Sequence, residues 1–282
     1  MTAAGGAELT VQGLTLSFGG NVALNRVDLR ASAGEMISLV GPNGAGKTSV
    51  FNCITGFYRP QQGEVRLDGD LLTGRPPHRI AAMGIARTFQ NVELFRLSVL
   101  DNILLGRHAL MRAGLLRSTF FTRFEAKEEA ANRQRAEEIL AFLGISSRRH
   151  EQVGNLPLGT QKLVEIGRAL ALEPRVLLLD EPTAAMGRDD KEDVARHILR
   201  IRRSLGITII LIEHDMRFVM DLSDRVFVLN FGENLAVGTP REVTANPDVV
   251  RAYLGEHAVA DDAESGPAAA TTSSARNATE AG

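Results

Sequence analysis

The chain has 282 residues, 44% of them hydrophobic and 23% charged, with a formal net charge of -2. That length accommodates one large α/β domain with a subdomain, or two small domains, and the composition excludes disorder of the whole chain. The near-neutral charge balance gives no general electrostatic reason for nucleic-acid binding. The single cysteine, Cys53, cannot form an intrachain disulfide and reads as a small buried residue on a helix. The opening MTAAGGAELT has neither a basic n-region nor an apolar h-region, so no signal peptide is expected. The longest apolar runs, VLLL and ITIILI, fall far short of the ~20 residues of a membrane-spanning helix, so any membrane role is expected to come through a partner.

Between residues 8 and 40, LTVQGLTLSF, VDLRAS and MISLV alternate or cluster β-formers between Gly and Asn turn signals, which predicts short strands. GPNGAGKTSVFNCITG then switches to helical spacing. GEVRLDGD predicts a strand ending in a glycine-containing turn, and IARTFQ a buried strand. From about 98 to 150 the pattern is helical, and FEAKEEAANRQRAEEILAFLG gathers its apolar residues at Ile139, Leu140, Phe142 and Leu143, with Gly144 as a stop. Beyond Gln161 the order is helix, strand VLLLD, helix over 189–205, strand ITIILIE, helix, strand RVFVLN. Continuous apolar strands alternating with helices predict a parallel sheet covered on both faces. The last 26 residues, 257–282, have almost nothing to bury and are expected to be disordered. Their NAT at 277–279 matches a glycosylation acceptor, a reading that the lack of a secretion signal disfavours.

Two motifs carry chemistry. GPNGAGKT, Gly41 to Thr48, fits G-x-x-x-x-G-K-[ST] between a strand and a helix, the context that the motif requires. Backbone N–H groups of Gly41, Pro42-Asn43, Gly44, Ala45, Gly46 and the following Ser49 turn are expected to wrap a triphosphate, although Pro42 itself has no N–H to give. Lys47 would reach the β- and γ-phosphates and Thr48 would offer its hydroxyl to Mg²⁺. VLLLDEP places Asp180 at the carboxyl end of a buried strand, where ligands of open α/β sheets bind. Adjacent acids there are costly unless a cation awaits them. Asp180 is therefore read as a Mg²⁺ holder and Glu181 as the base that activates water.

The phosphate loop, TFQ, a Gly-Gln loop ahead of a helix, LLLDEP and IEHD, in this order, resemble the ATP-binding cassette of ABC proteins over residues 8–256. The resemblance implies a RecA-like parallel-sheet core, an N-terminal antiparallel β subdomain and an α-helical subdomain at about 91–170. It implies that Gln90 senses Mg²⁺, the attacking water and a transmembrane partner, that His214 contacts the γ-phosphate, and that Phe18 stacks on adenine. GIARTFQNVELFRLSVLDNILLGRH, the helical insertion at 107–143 and the ending GTPREVTANPDVVRAYLGE narrow it to the LivG type, which serves branched-chain and hydrophobic amino-acid importers. Relatives that import urea or short amides share much of this.

The family's usual LSGGQ loop acts in trans on ATP held by the other ATPase subunit. Here it reads LPLGTQ, with Leu158, Gly159, Thr160 and Gln161 as the expected contacts. Pro157 and Leu158 remove a hydroxyl donor and a glycine, while the positive end of the following helix remains. One hydrogen bond to a charged group is worth about 1.5–3 kcal/mol, so turnover is expected to be slowed roughly ten- to a hundredfold at worst. Gly187 stands where the family commonly has Asp or Asn, which bears on communication between subunits. The expected assembly is a pair of cassettes, identical or related, on permease subunits at the cytoplasmic face of the membrane, fed by an extracytoplasmic binding protein. A nucleotide-binding, weakly hydrolysing regulatory subunit is the alternative. In LLRSTFFTRF, Leu115 to Phe124, the phenylalanines predict either packing within a helical hairpin or contact with a membrane partner or lipid headgroups.

Overall fold

The computed structural model describes residues 5–88, 95–108 and 123–253. Gln90, the side chains of the 115–124 run and the tail at 257–282 lie outside the described residues.

Two sheets organise the rest. Strands β1 (Leu9–Phe18), β2 (Asn21–Ala31), β4 (Gln62–Leu67) and β5 (Asp70–Leu71) form an antiparallel sheet in the order β2-β1-β4-β5. The buried positions of β1 are Leu9 and Val11, then Leu14 and Leu16, so the inward face changes parity in mid-strand. A register shift between Val11 and Leu14 absorbs the change, as a β-bulge does, and keeps all four residues in one core.

The second sheet has the order β10-β9-β3-β8-β7-β6, from β3 (Met36–Val40), β6 (Ile85–Arg87), β7 (Val176–Asp180), β8 (Thr208–Ile212), β9 (Arg225–Asn230) and β10 (Glu233–Gly238). Every pairing in it is parallel except β9 with β10. Strands β3, β7 and β8 are buried at every position, which matches their unbroken apolar sequence and requires cover on both faces. Cover comes from α1 (Lys47–Ile54), α5 (Leu158–Leu170), α6 (Arg188–Leu205) and α7 (Met216–Leu222). Helix α6 buries Val194, Ile198, Ile201 and Leu205, a stripe at helical spacing. Helices α3 (Val99–His108) and α4 (Arg123–Leu143) meet α5 at Gly167, where a Cβ would lie 3.0 Å from Leu143 and 3.1 Å from Ile103.

Among the described residues, β5, β10, α2 (Pro77–Ala82) and α8 (Pro240–Ala245) are elements that arise without a sequence expectation. β10 has no fully buried position, hence no alternation to read. α8 did carry a signal, since TPRE spells a capping box with Pro at the first turn, and both reciprocal bonds of Thr239 and Glu242 form. The strand expected as VDLRAS begins earlier, at Asn21, and IARTFQ is strand only over Ile85–Arg87 among its described residues.

Candidate active site

The carboxyl ends of β3, β7 and β8 converge, and the residue that follows each belongs to the site: Gly41, Glu181 and Glu213. Gly41 leaves β3 against β9, where a Cβ would sit 2.1 Å from the Leu229 carbonyl oxygen and its φ is +150°, so only glycine fits. The loop that follows turns back to start α1 at Lys47. Its ammonium is nearly buried and donates to the carbonyls of Gly41 at 2.6 Å and Pro42 at 2.8 Å. That places a cation and the positive end of α1 against a cavity of about 420 Å³, lined by residues 43–49, residues 21–23, Glu181, His214 and Phe231.

Glu181 occupies the left-handed region at φ +46°, a conformation that costs a non-glycine residue on the order of 1–3 kcal/mol. Its N–H donates to Ile212 O at 2.9 Å, which fastens the turn to β8. Its carboxylate Oε1 lies 2.5 Å from Nε2 of His214. The strained backbone thus aims a carboxylate across the gap between two strand ends, into the cavity and onto an imidazole.

Asp180 lies beneath, 2% exposed, with Oδ2 accepting from Arg87 Nη2 at 2.6 Å. Nη1 of Arg87 donates to Asn52 Oδ1 at 2.6 Å, and the guanidinium carbon stands 5.4 Å from the centre of the Phe51 ring. One side chain on β6 therefore links the strand that ends at Asp180 to the helix that follows the phosphate loop. The other oxygen, Asp180 Oδ1, is buried and has no hydrogen-bond partner among the described residues. A buried carboxylate oxygen left open suits a hard, oxygen-seeking divalent cation.

Glu213, buried at the end of β8, uses both oxygens. Oε1 accepts from the N–H and hydroxyl of Thr183 at 3.0 and 2.6 Å, and Oε2 accepts from the N–H of His214 at 3.2 Å. Next in the chain, Asp215 caps α7 by accepting from the N–H groups of Arg217 and Phe218. The hydrogen bond from Lys191, opposed by partial burial and aided by those two amides, holds the Asp215 carboxyl below the ordinary carboxylate range. A carboxyl whose folded pKa is depressed contributes stability above its unfolded pKa of ~3.9 and loses it as pH falls through the folded value. Asp215→Ala should therefore cost about 1 kcal/mol in urea unfolding at pH 7, and the gap to the parent should close below pH ~3.9.

Not every expected residue joins the cavity. Phe18 stacks edge-on against Tyr58, with ring centres 5.1 Å apart, and is not part of the lining; Phe231, exposed on the β9–β10 turn, is. Residues 158–161 are not part of the lining either; they form the first turn of α5, which packs Gly159 near Asp190 of α6. Of their four amides only three are left over by helix geometry, since Gln161 N–H donates to Pro157 O at 3.0 Å. The Gln161 side chain turns back to Leu156 O at 2.8 Å. Cys53 is buried on α1, and burial pushes its thiol up to about 12.

Sequence reasoning missed Arg87, Asn52, Thr183, Glu213 and Phe231. Arg87 reads as an ordinary polar residue at a strand end, and nothing local announces a partner at Asp180. Glu213 sits inside the quoted IEHD, so its position was visible and its burial was not.

An ABC transporter family model matches residues 24–184, and one for the branched-chain amino acid ATP-binding cassette transporter matches residues 233–259. The chain is 42% identical over 249 residues to the high-affinity branched-chain amino acid transport ATP-binding protein BraF of Pseudomonas aeruginosa, covering 88% of this chain and 98% of that one. It is 43% identical, at the same coverage of 88% and 98%, to LivG of Escherichia coli K12, which carries the same description. Among solved structures, the ADP conformation of an ATP-binding cassette of an ABC transporter is similar at TM-score 0.78 and 33% identity, covering 89% of this chain and 99% of that one. A dimeric cassette in a post-hydrolysis state, bound to ADP and Pi, is similar at TM-score 0.68 and 25% identity, covering 83% and 99%.

Proposed function

The chain belongs to the ABC transporter family of ATP-binding cassettes, and on that premise we propose that it is the ATP-hydrolysing subunit of an importer for branched-chain or other hydrophobic amino acids. The observation that carries the hydrolytic part is the Glu181–His214 pair, 2.5 Å apart in the same cavity as the phosphate loop. The cargo class rests on the description that BraF and LivG share and on the match at residues 233–259.

In this reading the amides of residues 43–49 and Lys47 hold the triphosphate, and Lys47 exchanges its two carbonyl partners for phosphate oxygens. Glu181 takes the proton of a water in line with the γ-phosphate, and His214 contacts that phosphate and orients Glu181. Thr48 and Asp180, with Gln90, would hold Mg²⁺, and the ion would neutralise charge on the β- and γ-oxygens. Val22, half exposed in the lining, and Phe231 offer apolar surface to the nucleoside, with Phe18 as the residue expected to stack on adenine.

Residues 158–161 would act on ATP held by a second cassette, the three leftover amides of α5 supplying the contact in place of a serine hydroxyl. The pair would sit on permease subunits at the inner face of the membrane, and no helix among the described residues is long and apolar enough to cross it. Residues 91–170 would form the helical subdomain within an ATPase domain spanning 8–256.

ATP turnover by the purified chain, followed as its concentration is raised, tests this. A specific rate that climbs with concentration is expected of a self-pairing ATPase. Tight ATP binding with no turnover at any concentration would transfer the active half to a different partner cassette, or favour the weakly hydrolysing subunit that Pro157 and Leu158 bring to mind.

A further inference from the structure

Three ties join the turn after β7 to the end of β8. The first is Glu181 N–H to Ile212 O at 2.9 Å. The other two run to a single oxygen, Glu213 Oε1, which receives the Thr183 amide and hydroxyl, while Glu213 Oε2 receives the amide of its chain neighbour His214. Thr183 and Glu213 are 1% and 3% exposed, so water does not compete for these bonds. Glu181 lies two residues before Thr183, and His214 directly follows Glu213. The carboxylate thus grips the backbone on both sides of the 2.5 Å contact between Glu181 and His214. A backbone at φ +46° keeps that conformation only when its surroundings hold it there.

We infer that Glu213 is a positioning residue: it sets the distance between Glu181 and His214 by holding the Thr183 turn and the His214 amide on one rigid carboxylate. The inference rests on the hydrolytic reading above and adds to it a third acidic residue, one that does not line the cavity. Glu213→Gln keeps the size and one acceptor but turns an N–H₂ group toward either the His214 amide or the Thr183 donors, donor against donor. Thr183→Val removes the hydroxyl and keeps the shape.

The test combines single-turnover hydrolysis, nucleotide affinity and the imidazole ¹⁵N signals of His214 in the full chain, assigned with His214→Gln. Glu213→Gln is expected to slow the hydrolysis step about tenfold or more, the scale of one lost charge-assisted hydrogen bond, while the affinity for ATP moves less than threefold. The double variant with Thr183→Val should be no slower than the slower single one, because both act through the same contact. The His214 Nε2 signal should move to where Glu181→Ala places it. A Glu213→Gln protein that melts earlier but keeps the parent single-turnover rate and His214 signal would overturn the inference. If the parent itself does not hydrolyse ATP, the hydrolytic reading fails, and the His214 signal alone still decides whether Glu213 sets the contact.

Discussion

Glu181→Gln is expected to lower ATP turnover by about 10²–10⁴, the range of a lost general base, and to leave nucleotide binding within a fewfold of the parent. The substitution is nearly isosteric, and its amide can still pair with Nε2 of His214, now 2.5 Å from the carboxylate. The strained turn is also retained, since it is fastened through the backbone N–H of residue 181 to Ile212 O. What disappears is the capacity to accept a proton from water. The residues proposed to hold the phosphates, Lys47 at the start of α1 and the loop between β3 and α1, keep their own side chains and backbone. Rapid-quench measurement with saturating ATP, beside equilibrium binding of a fluorescent analogue, separates the two. A loss of turnover under tenfold would remove Glu181 from the role of base; a parallel loss of binding would mean that the pair supports the loop rather than the chemistry.

The division between what could and could not be read from the sequence follows the range of the interactions. The phosphate loop was legible because its chemistry is local: eight consecutive residues dictate the turn, the amides and the cation. VLLLD was legible because a parallel strand buried on both faces must be apolar throughout, and the polar residue that ends it is then conspicuous. The end of α4 was legible from Ile139, Leu140 and Leu143, all buried. In contrast, β10 packs weakly enough that its sequence carries no period. The edge-on contact of Phe18 with Tyr58, 40 residues further on, is likewise invisible in the sequence. Three side chains at the carboxyl end of the sheet, Arg87, Thr183 and Glu213, are defined by bonds spanning 93 and 30 residues, which composition and spacing do not encode.

Arg87→Met is the substitution with the largest expected effect on stability. Arg87 and Asp180 are 6% and 2% exposed, and they meet in a 2.6 Å ion pair. Removing one member of such a pair leaves a charge buried without compensation, which costs about 3–5 kcal/mol, whereas replacing both by uncharged groups is often close to neutral. Arg87→Met should therefore shift the urea midpoint strongly, and adding Asp180→Asn should recover most of the loss. Arg87→Lys should fall between, because one ammonium cannot reproduce the fork that grips Asp180 and Asn52 together over the Phe51 ring. If the carboxylate freed by Arg87→Met lies where a divalent cation binds, MgATP will restore more stability to this variant than to the parent, and ATP with EDTA will not. A loss under 1 kcal/mol would mean that Asp180 is stabilised by its surroundings without Arg87. A full loss that the second substitution rescues would mean that the uncompensated Asp180 charge sets the cost, whereas a loss that it does not rescue would mean that β6, β7 and α1 are held in register by one guanidinium.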